Sequence, residues 1–476
     1  MLRWAHVPCD DATDPIGNPA APEHSEIYVT NDTETDRKHA KAHPTKAFFV
    51  RMLTRDISLD DCILDLIDNS VDAAWSSVNA TPTTLKTGHA LRDFKIDLNI
   101  LETEFSIVDN CGGISLDHAA DYAFTFGRDE SDGTDHFTVG VYGIGMKRAV
   151  FKLGNRISIR STHAGNEPFK VPIDVKEWLA DKADVWDFDI EEDDQLSEPG
   201  VAVHVSELKE ETAAEFSDPT FQNRLRKIVA RDYMFPIMQG LNICINGKAV
   251  KGWEIKYKSG SGFQPMRQLY HEGEVSVEIF AGMVAAPPST SEPPNNNQDQ
   301  RSGWYVLCNG RVVLAADRTD LTVWGKDRFP AWHSQYQGFV GVVLFSSRNP
   351  VLLPMTTTKN SVDTASALYR RAVAKMREPT RAWVDYTNAR KPSRDTARAK
   401  ELATKPVPIE RVTKRKSVKL PTNMTGKKDA NILYTVPVDR VKALARAFGK
   451  VTMSYKNVGQ QSFDYSYDQL VEEENQ

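Results

Sequence analysis

A chain of 476 residues, 40% of them hydrophobic, holds enough apolar material for two or three globular domains. Its longest apolar run, Phe339-Val-Gly-Val-Val-Leu-Phe345, is far too short for a membrane span, and no apolar stretch follows a basic start at the N-terminus, so neither an anchor nor a signal peptide is expected. A net charge of -6 gives no uniformly basic or acidic character, and the five scattered cysteines (9, 62, 111, 244 and 308) exclude a Cys-x-x-Cys site, so free thiols in a reducing cytosol are expected.

Residues 1–44 carry eight acidic and four basic side chains among scattered prolines and glycines, the composition of a polar arm. Helix and strand patterns alternate from 45 to 210, which points to an α+β domain with one sheet covered by helices. Ser58 followed by Asp61 resembles a capping box, so a helix is expected from about Leu59. At about 100° per residue, Asp65, Asn69 and Asp72 fall within about 60° of one another, with Asp68 on the flank. Ile63, Leu66, Ile67, Val71 and Ala74 lie on the opposite side. Surface helices usually mix in Lys and Arg, yet Cys62 to Val78 has none. Asn is also a poor helix-interior residue. A plain amphipathic helix fits this pattern, and so does a polar face assembled for a hard cation such as Mg²⁺.

Strict alternation marks strands at Phe94-Lys-Ile-Asp-Leu-Asn-Ile100, Glu104-Phe-Ser-Ile-Val108 and Arg156-Ile-Ser-Ile-Arg160. Asp109 has the parity of Phe105 and Ile107 and should point to the buried side, where a carboxylate needs a donor such as the exocyclic amine of a base. Within Val108-Asp-Asn-Cys-Gly-Gly-Ile114 a simple Asp-Asn-Gly turn is the competing reading. Gly140-Val-Tyr-Gly-Ile-Gly-Met-Lys147 opens a helix with apolar positions Met146, Ala149, Val150 and Leu153, stopped by Gly154-Asn155. Glycines at a helix start let backbone N–H groups approach an anion. The loop is not a Walker A motif, because Gly145 is followed by Met146 and Lys147, and no short βαβ unit makes it a dinucleotide fingerprint.

A second α+β region is expected over 211–376, interrupted by a low-complexity loop from Ala286 to Asn297. Residues 377–429 read as a basic linker, with thirteen Lys/Arg against four Asp/Glu from 387 to 429. That segment is either a solvated connection or a contact for DNA or RNA. A short unit, 430–476, contains a helix from Val438 to Phe448 and the aromatic stretch Phe463-Asp-Tyr-Ser-Tyr467.

The ordered set Asp-x-x-x-Asn (65 and 69), Asp-x-x-x-Gly (109 and 113) and Gly-x-x-Gly-x-Gly (140, 143 and 145) resembles the GHKL superfamily of gyrase, MutL, the large heat-shock chaperone, histidine kinases and MORC proteins. The resemblance covers about residues 45–210. It implies a Bergerat-fold ATP-binding domain, with helices on one face of a mixed sheet, and ATP with Mg²⁺ as ligands. In that likeness Asn69 coordinates Mg²⁺ beside Asp72, Asp109 binds the adenine amine, and Gly113 and Ile114 lie close to the base. Gly140, Val141, Tyr142, Gly143, Ile144, Gly145, Met146 and Lys147 surround the phosphates, and Ser115 to Val139 resembles the ATP lid. Leu353-Pro-Met-Thr-Thr-Thr-Lys-Asn360 resembles the loop of an S5-like transducer domain, in which Lys359 would meet the γ-phosphate. The layout is most similar to compact bacterial MORC- or chaperone-like proteins. It implies an ATPase, an ATP-dependent homodimer joined through the N-terminal arm, and, by analogy, a role in DNA transactions or phage defence.

Three positions depart from the family pattern. Transducer-bearing members usually carry a Glu base four residues before the Asn, and here that position is Asp65, one methylene or roughly 1.5 Å shorter. A misplacement of about 1 Å can cost on the order of 10²-fold in rate, so slow turnover is expected, although a carboxylate base remains. Cys111 stands at the usual first glycine of the second motif. Val201, in the strand Gly200-Val-Ala-Val-His-Val205, stands where relatives have Thr, which removes one hydrogen bond near the adenine.

Overall fold

The structure is a computed structural model that describes residues 44–78, 89–127, 137–140, 143–181, 185–288, 300–421 and 432–472. Its first helices are α1 (Lys46–Arg55), capped by Thr45, and α2 (Leu59–Ser77). The expected capping box forms: Ser58 Oγ accepts the Asp61 N–H at 3.0 Å and donates to the Asp61 carboxylate at 2.8 Å.

Eight strands follow: β1 (Lys95–Ile100), β2 (Glu104–Asp109), β3 (Gly154–Thr162), β4 (Phe169–Asp174), β5 (Glu191–Glu192), β6 (Gly200–Leu208), β7 (Asn242–Ile245) and β8 (Lys248–Ala249). They form one mixed sheet in the order β5-β4-β3-β6-β2-β1-β7-β8, with β1 and β7 parallel and β1 and β2 antiparallel. On β1 and β2 the buried positions are Ile96, Leu98 and Ile100, then Phe105, Ile107 and Asp109. That period of two buries one face of the sheet beneath α2 and α3 (Gly145–Leu153). Asp109 takes the inward parity its neighbours predicted.

The first unit is larger than expected. Strand β7 pairs with β1 from Lys95↔Asn242 to Leu98↔Ile245, and α4 (Pro219–Asp232) gives Phe221, Leu225 and Val229 to the same core. The division expected at 210 therefore falls near Val250, because the sheet is completed by strands distant in sequence.

In the second unit, β9 (Lys256–Ser259) precedes a sheet of β10 (Met266–Glu272), β11 (Val275–Met283), β12 (Gly303–Cys308), β13 (Arg311–Asp317) and β14 (Phe339–Ser346), ordered β10-β11-β14-β12-β13. Strand β14 is buried throughout. Phe339, Val343 and Phe345 enter one core, while Val340, Val342 and Leu344 enter another with Met234 and Phe235. Burial on both faces is why this run shows no alternation in the sequence.

The basic linker expected over 377–429 is folded across its described part. Helix α5 (Ala367–Ala389) continues past Met376 and buries Trp383, Val384 and Tyr386. It is followed by α6 (Arg394–Leu402), whose Glu401 pairs with Arg390, and by β15 (Lys405–Pro408), which pairs with β9. Charge count hid this packing, because Lys405, Lys414 and Lys419 stay on the solvent side. The C-terminal unit is a pair of helices, α7 (Val438–Ala447) and α8 (Tyr455–Tyr467), and Phe463 and Tyr467 of the aromatic stretch stack on α8 at 6.5 Å. No described helix is long and apolar enough to cross a membrane. Cys62, Cys111, Cys244 and Cys308 carry free thiols, all buried. The arm up to residue 43, Cys9 with it, the loop 289–299 and residues 422–431 lie outside the described residues.

Candidate functional site

The polar face of α2 is covered rather than solvated. Asp65, Asp68 and Asp72 are buried, and Asn69 alone of the four is exposed. Buried carboxylates need donors, and each of the three has a different set.

Asp72 holds the entrance of the glycine loop. Its carboxylate accepts the Val139 N–H at 2.8 and 2.9 Å and the Gly140 N–H at 2.9 Å. Burial pushes its pKa from 3.8 up to about 7, with Asp68 adding to the rise and Lys359 and the two backbone donors opposing it. Between about pH 4 and 7 the folded protein thus keeps a proton that the unfolded chain has lost. This contribution to stability is complete below about pH 4 and disappears as the pH rises through about 7. The melting temperature of the nucleotide-free protein is expected to fall, relative to Asp72→Asn, as the pH goes from about 5 to about 8. Parallel melting curves would remove this titration.

Asp68 accepts the Tyr233 hydroxyl at 2.8 Å, Arg311 Nε at 3.1 Å and Lys359 Nζ at 2.8 Å. Burial alone would raise its pKa, but Lys359 and Arg311 hold it below the usual range. Arg311 continues to Asp232 at 2.9 Å, so the network joins α2, α4 and β13. Asp65 receives Arg148 Nε at 2.7 Å and Lys359 Nζ at 3.2 Å. Burial works against the charge on Lys359, yet Asp68 and Asp65 raise its pKa to about 12, so it stays protonated. The backbone of Lys359 is left-handed, with φ 56°, at the end of a turn closed on Thr356.

At the other end of the cavity, Asp109 accepts the Ser70 hydroxyl at 2.6 Å, the Cys111 N–H at 2.9 Å and the Val201 N–H at 3.2 Å. Burial raises its pKa, and those three bonds moderate the rise. Val201, which lacks the family's hydroxyl, still contributes through its backbone. Gly113 has φ 76°, and a Cβ there would stand 2.0 Å from the Thr162 carbonyl oxygen. Ile114 is fixed by Ser161, whose hydroxyl accepts its N–H at 2.7 Å and donates to its carbonyl at 2.9 Å.

The glycine loop leads into α3, whose start has no side-chain cap among the described residues. Backbone N–H groups at such a start suit an anion. Lys147 is buried, and its ammonium donates to the carbonyls of Ala123 (2.9 Å) and Thr125 (2.6 Å). Burial lowers its pKa to about 8.

A cavity of about 550 Å³ joins these parts. Asp65, Asn69, Asp72, Asp109, Gly113, Ile114, Gly140, Gly143, Ile144, Gly145, Met146, Lys147 and Lys359 all line it. Val141, Tyr142 and residues 128–136 of the lid segment lie outside the described residues. The volume falls in the range of small-molecule sites, roughly 300–1,000 Å³. Sequence reasoning missed Ser70, Arg148, Tyr233 and Arg311. Ser70 and Arg148 adjoin expected residues, but nothing local marks Tyr233 or Arg311, which reach α2 from 165 and 243 positions away.

A one-sided mixed sheet, a buried acceptor at one end of the cavity and a glycine loop opening a helix at the other define a nucleotide-binding domain. Residues 57–195 match the family model for histidine kinase-, DNA gyrase B- and HSP90-like ATPases. Residues 57–195 thus form a GHKL-type ATPase domain, a kind of domain that binds ATP. No curated protein was found to be similar in sequence.

Proposed function

We propose that the chain is a Mg²⁺-dependent ATPase in which the nucleotide acts as a conformational switch. The observation that carries this reading is Lys359: a cation from the second unit reaches the polar face of α2 and the cavity wall. Asp109 would receive the exocyclic amine of adenine, with Gly113 and Ile114 beside the ring. The described loop residues Gly140, Gly143, Ile144, Gly145 and Met146 would face the phosphates with their N–H groups. Lys147 would hold the base of the lid to that loop, and Asp72 would hold the loop to α2. Asn69, exposed on the cavity wall, suits Mg²⁺, which takes an oxygen ligand readily beside phosphate oxygens and water. The ion, when bound, supplies positive charge that neutralises the phosphates. Asp65 would take the proton of the attacking water, and Lys359 would meet the terminal phosphate.

In this reading the second unit is the S5-like transducer, and the arm before Thr45 joins two copies when ATP binds. The exposed lysines and arginines of 391–419 offer a surface for DNA or RNA, in keeping with a role in DNA transactions or phage defence. One observation favours a slower variant, a module that chiefly holds nucleotide: the Asp65 carboxylate is bound by two cations. Steady-state phosphate release is expected from the wild type and expected to be lost in Asp65→Ala and Asn69→Ala. Equal release by wild type and Asn69→Ala would remove the enzyme reading and leave the holding module. Size measured with and without a non-hydrolysable ATP analogue tests the dimer. Labelled DNA titrated at several salt concentrations, with Lys414, Lys416 and Lys419 reversed in parallel, tests the nucleic-acid surface.

A further inference from the structure

Arg148 has no role in the roles assigned so far, yet it makes the closest contacts to the proposed base. Its Nε and Nη2 stand 2.7 and 2.6 Å from Oδ2 of Asp65, and Lys359 Nζ stands 3.2 Å from Oδ1. The two oxygens are therefore held by different units of the protein. Both side chains are sequestered, with 11% of Arg148 and 4% of Asp65 exposed. Helix α3 begins against this pair, since a Cβ on Gly145 would lie 3.3 Å from the Asp65 carboxyl carbon. Lys359 can leave without stranding a carboxylate. Asp68 would keep Arg311 and Tyr233, and Asp65 would keep Arg148. The left-handed backbone of Lys359 also gives its turn a conformation that a non-glycine residue rarely adopts unaided.

We infer that Arg148 is the positioning residue for Asp65, fixing Oδ2, and that Lys359 caps Oδ1 until the terminal phosphate of ATP draws it away. The inference rests on the ATPase reading above and deepens it. With Lys359 on the phosphate, Oδ1 is open to the attacking water. The water O–H bond breaks and its proton passes to Oδ1, while the water oxygen bonds to the γ-phosphorus. The bond from that phosphorus to the β–γ bridging oxygen breaks, and its electron pair leaves with ADP. The proton on Asp65 then returns to solvent. A nucleotide without a terminal phosphate leaves the cap in place, so the base is released only when there is a phosphoryl group to transfer. Fixing the carboxylate from α3 also sets the position of a base that is one methylene short.

The test compares wild type, Arg148→Gln and Arg148→Lys for phosphate release, with KM for ATP and melting temperature measured on each. Arg148→Gln is expected to lower kcat about 100-fold while KM stays within about threefold. Arg148→Lys is expected to recover part of kcat, since it keeps a cation beside Oδ2 without the fork of donors. An unchanged or raised kcat in Arg148→Gln would overturn the positioning role. So would a joint loss of kcat, ATP binding and melting temperature that Arg148→Lys does not relieve. Wild-type protein that releases no phosphate overturns both this inference and the ATPase reading, whereas active wild type with an equally active Arg148→Gln overturns this inference alone.

Discussion

Gly113→Ala is expected to weaken ATP binding by roughly 100-fold, the equivalent of about 3 kcal/mol. The added Cβ would meet the Thr162 carbonyl oxygen at 2.0 Å and the Gly200 carbonyl oxygen at 3.2 Å. Both are backbone atoms of paired strands, β3 and β6, so neither can rotate aside as a side chain would. The loop must shift instead, and it carries Ile114 and follows directly on Asp109 at the end of β2. The φ of 76° adds strain for any residue with a Cβ. Gly165→Ala separates the two effects, because Gly165 has φ 83° but nothing within 4 Å of its added Cβ. Titration with a fluorescent ATP analogue should show the loss in Gly113→Ala and not in Gly165→Ala. Affinity in Gly113→Ala within threefold of wild type would mean that this loop is not a wall of the nucleotide site.

Arg311→Leu is expected to be the most destabilising single change in the ion network, by about 3–5 kcal/mol. The Arg311 side chain is 6% exposed and pairs with Asp68 at 3.1 Å and Asp232 at 2.9 Å. Its guanidinium also lies over the Tyr233 ring, 4.8 Å from the centroid. Leucine fills part of the space but leaves two buried carboxylates each short of a donor. Removing both members of a buried pair is milder than removing one, so adding Asp68→Leu should restore part of the loss. Urea unfolding of the two single variants and the double variant measures this coupling. Wild-type stability in Arg311→Leu would show that the network is satisfied unaided by Lys359, Tyr233 and Arg231, whose Nε lies 2.5 Å from Asp232 Oδ1. The network links α2 in the first unit with β13 and the Lys359 loop in the second, so a change at the polar face of α2 is also a change at its contact with the second unit.

The local elements of this site were legible in the order of the residues. The capping box at Ser58, the inward parity of Asp109 and the helix start behind Gly145 depend on neighbours within a few residues, and such short-range rules are written directly in the order of side chains. The three ordered motifs likewise come together in the fold, and every described member lines the same cavity. Tertiary structure alone decided what the polar face of α2 touches. Solvent and a buried ion network ask for the same residues on a helix, so Asp65 and Asp68 read alike in sequence whether they meet water or Arg148, Arg311, Tyr233 and Lys359. The partners arrive from chain segments up to 294 positions away, on strands and loops whose register is set by the packing of the whole protein. The extent of the units was hidden for a similar reason. Strand β7 joins the first sheet by backbone pairing, which any sequence supplies, and the packed residues of α5 were masked by the charges around them.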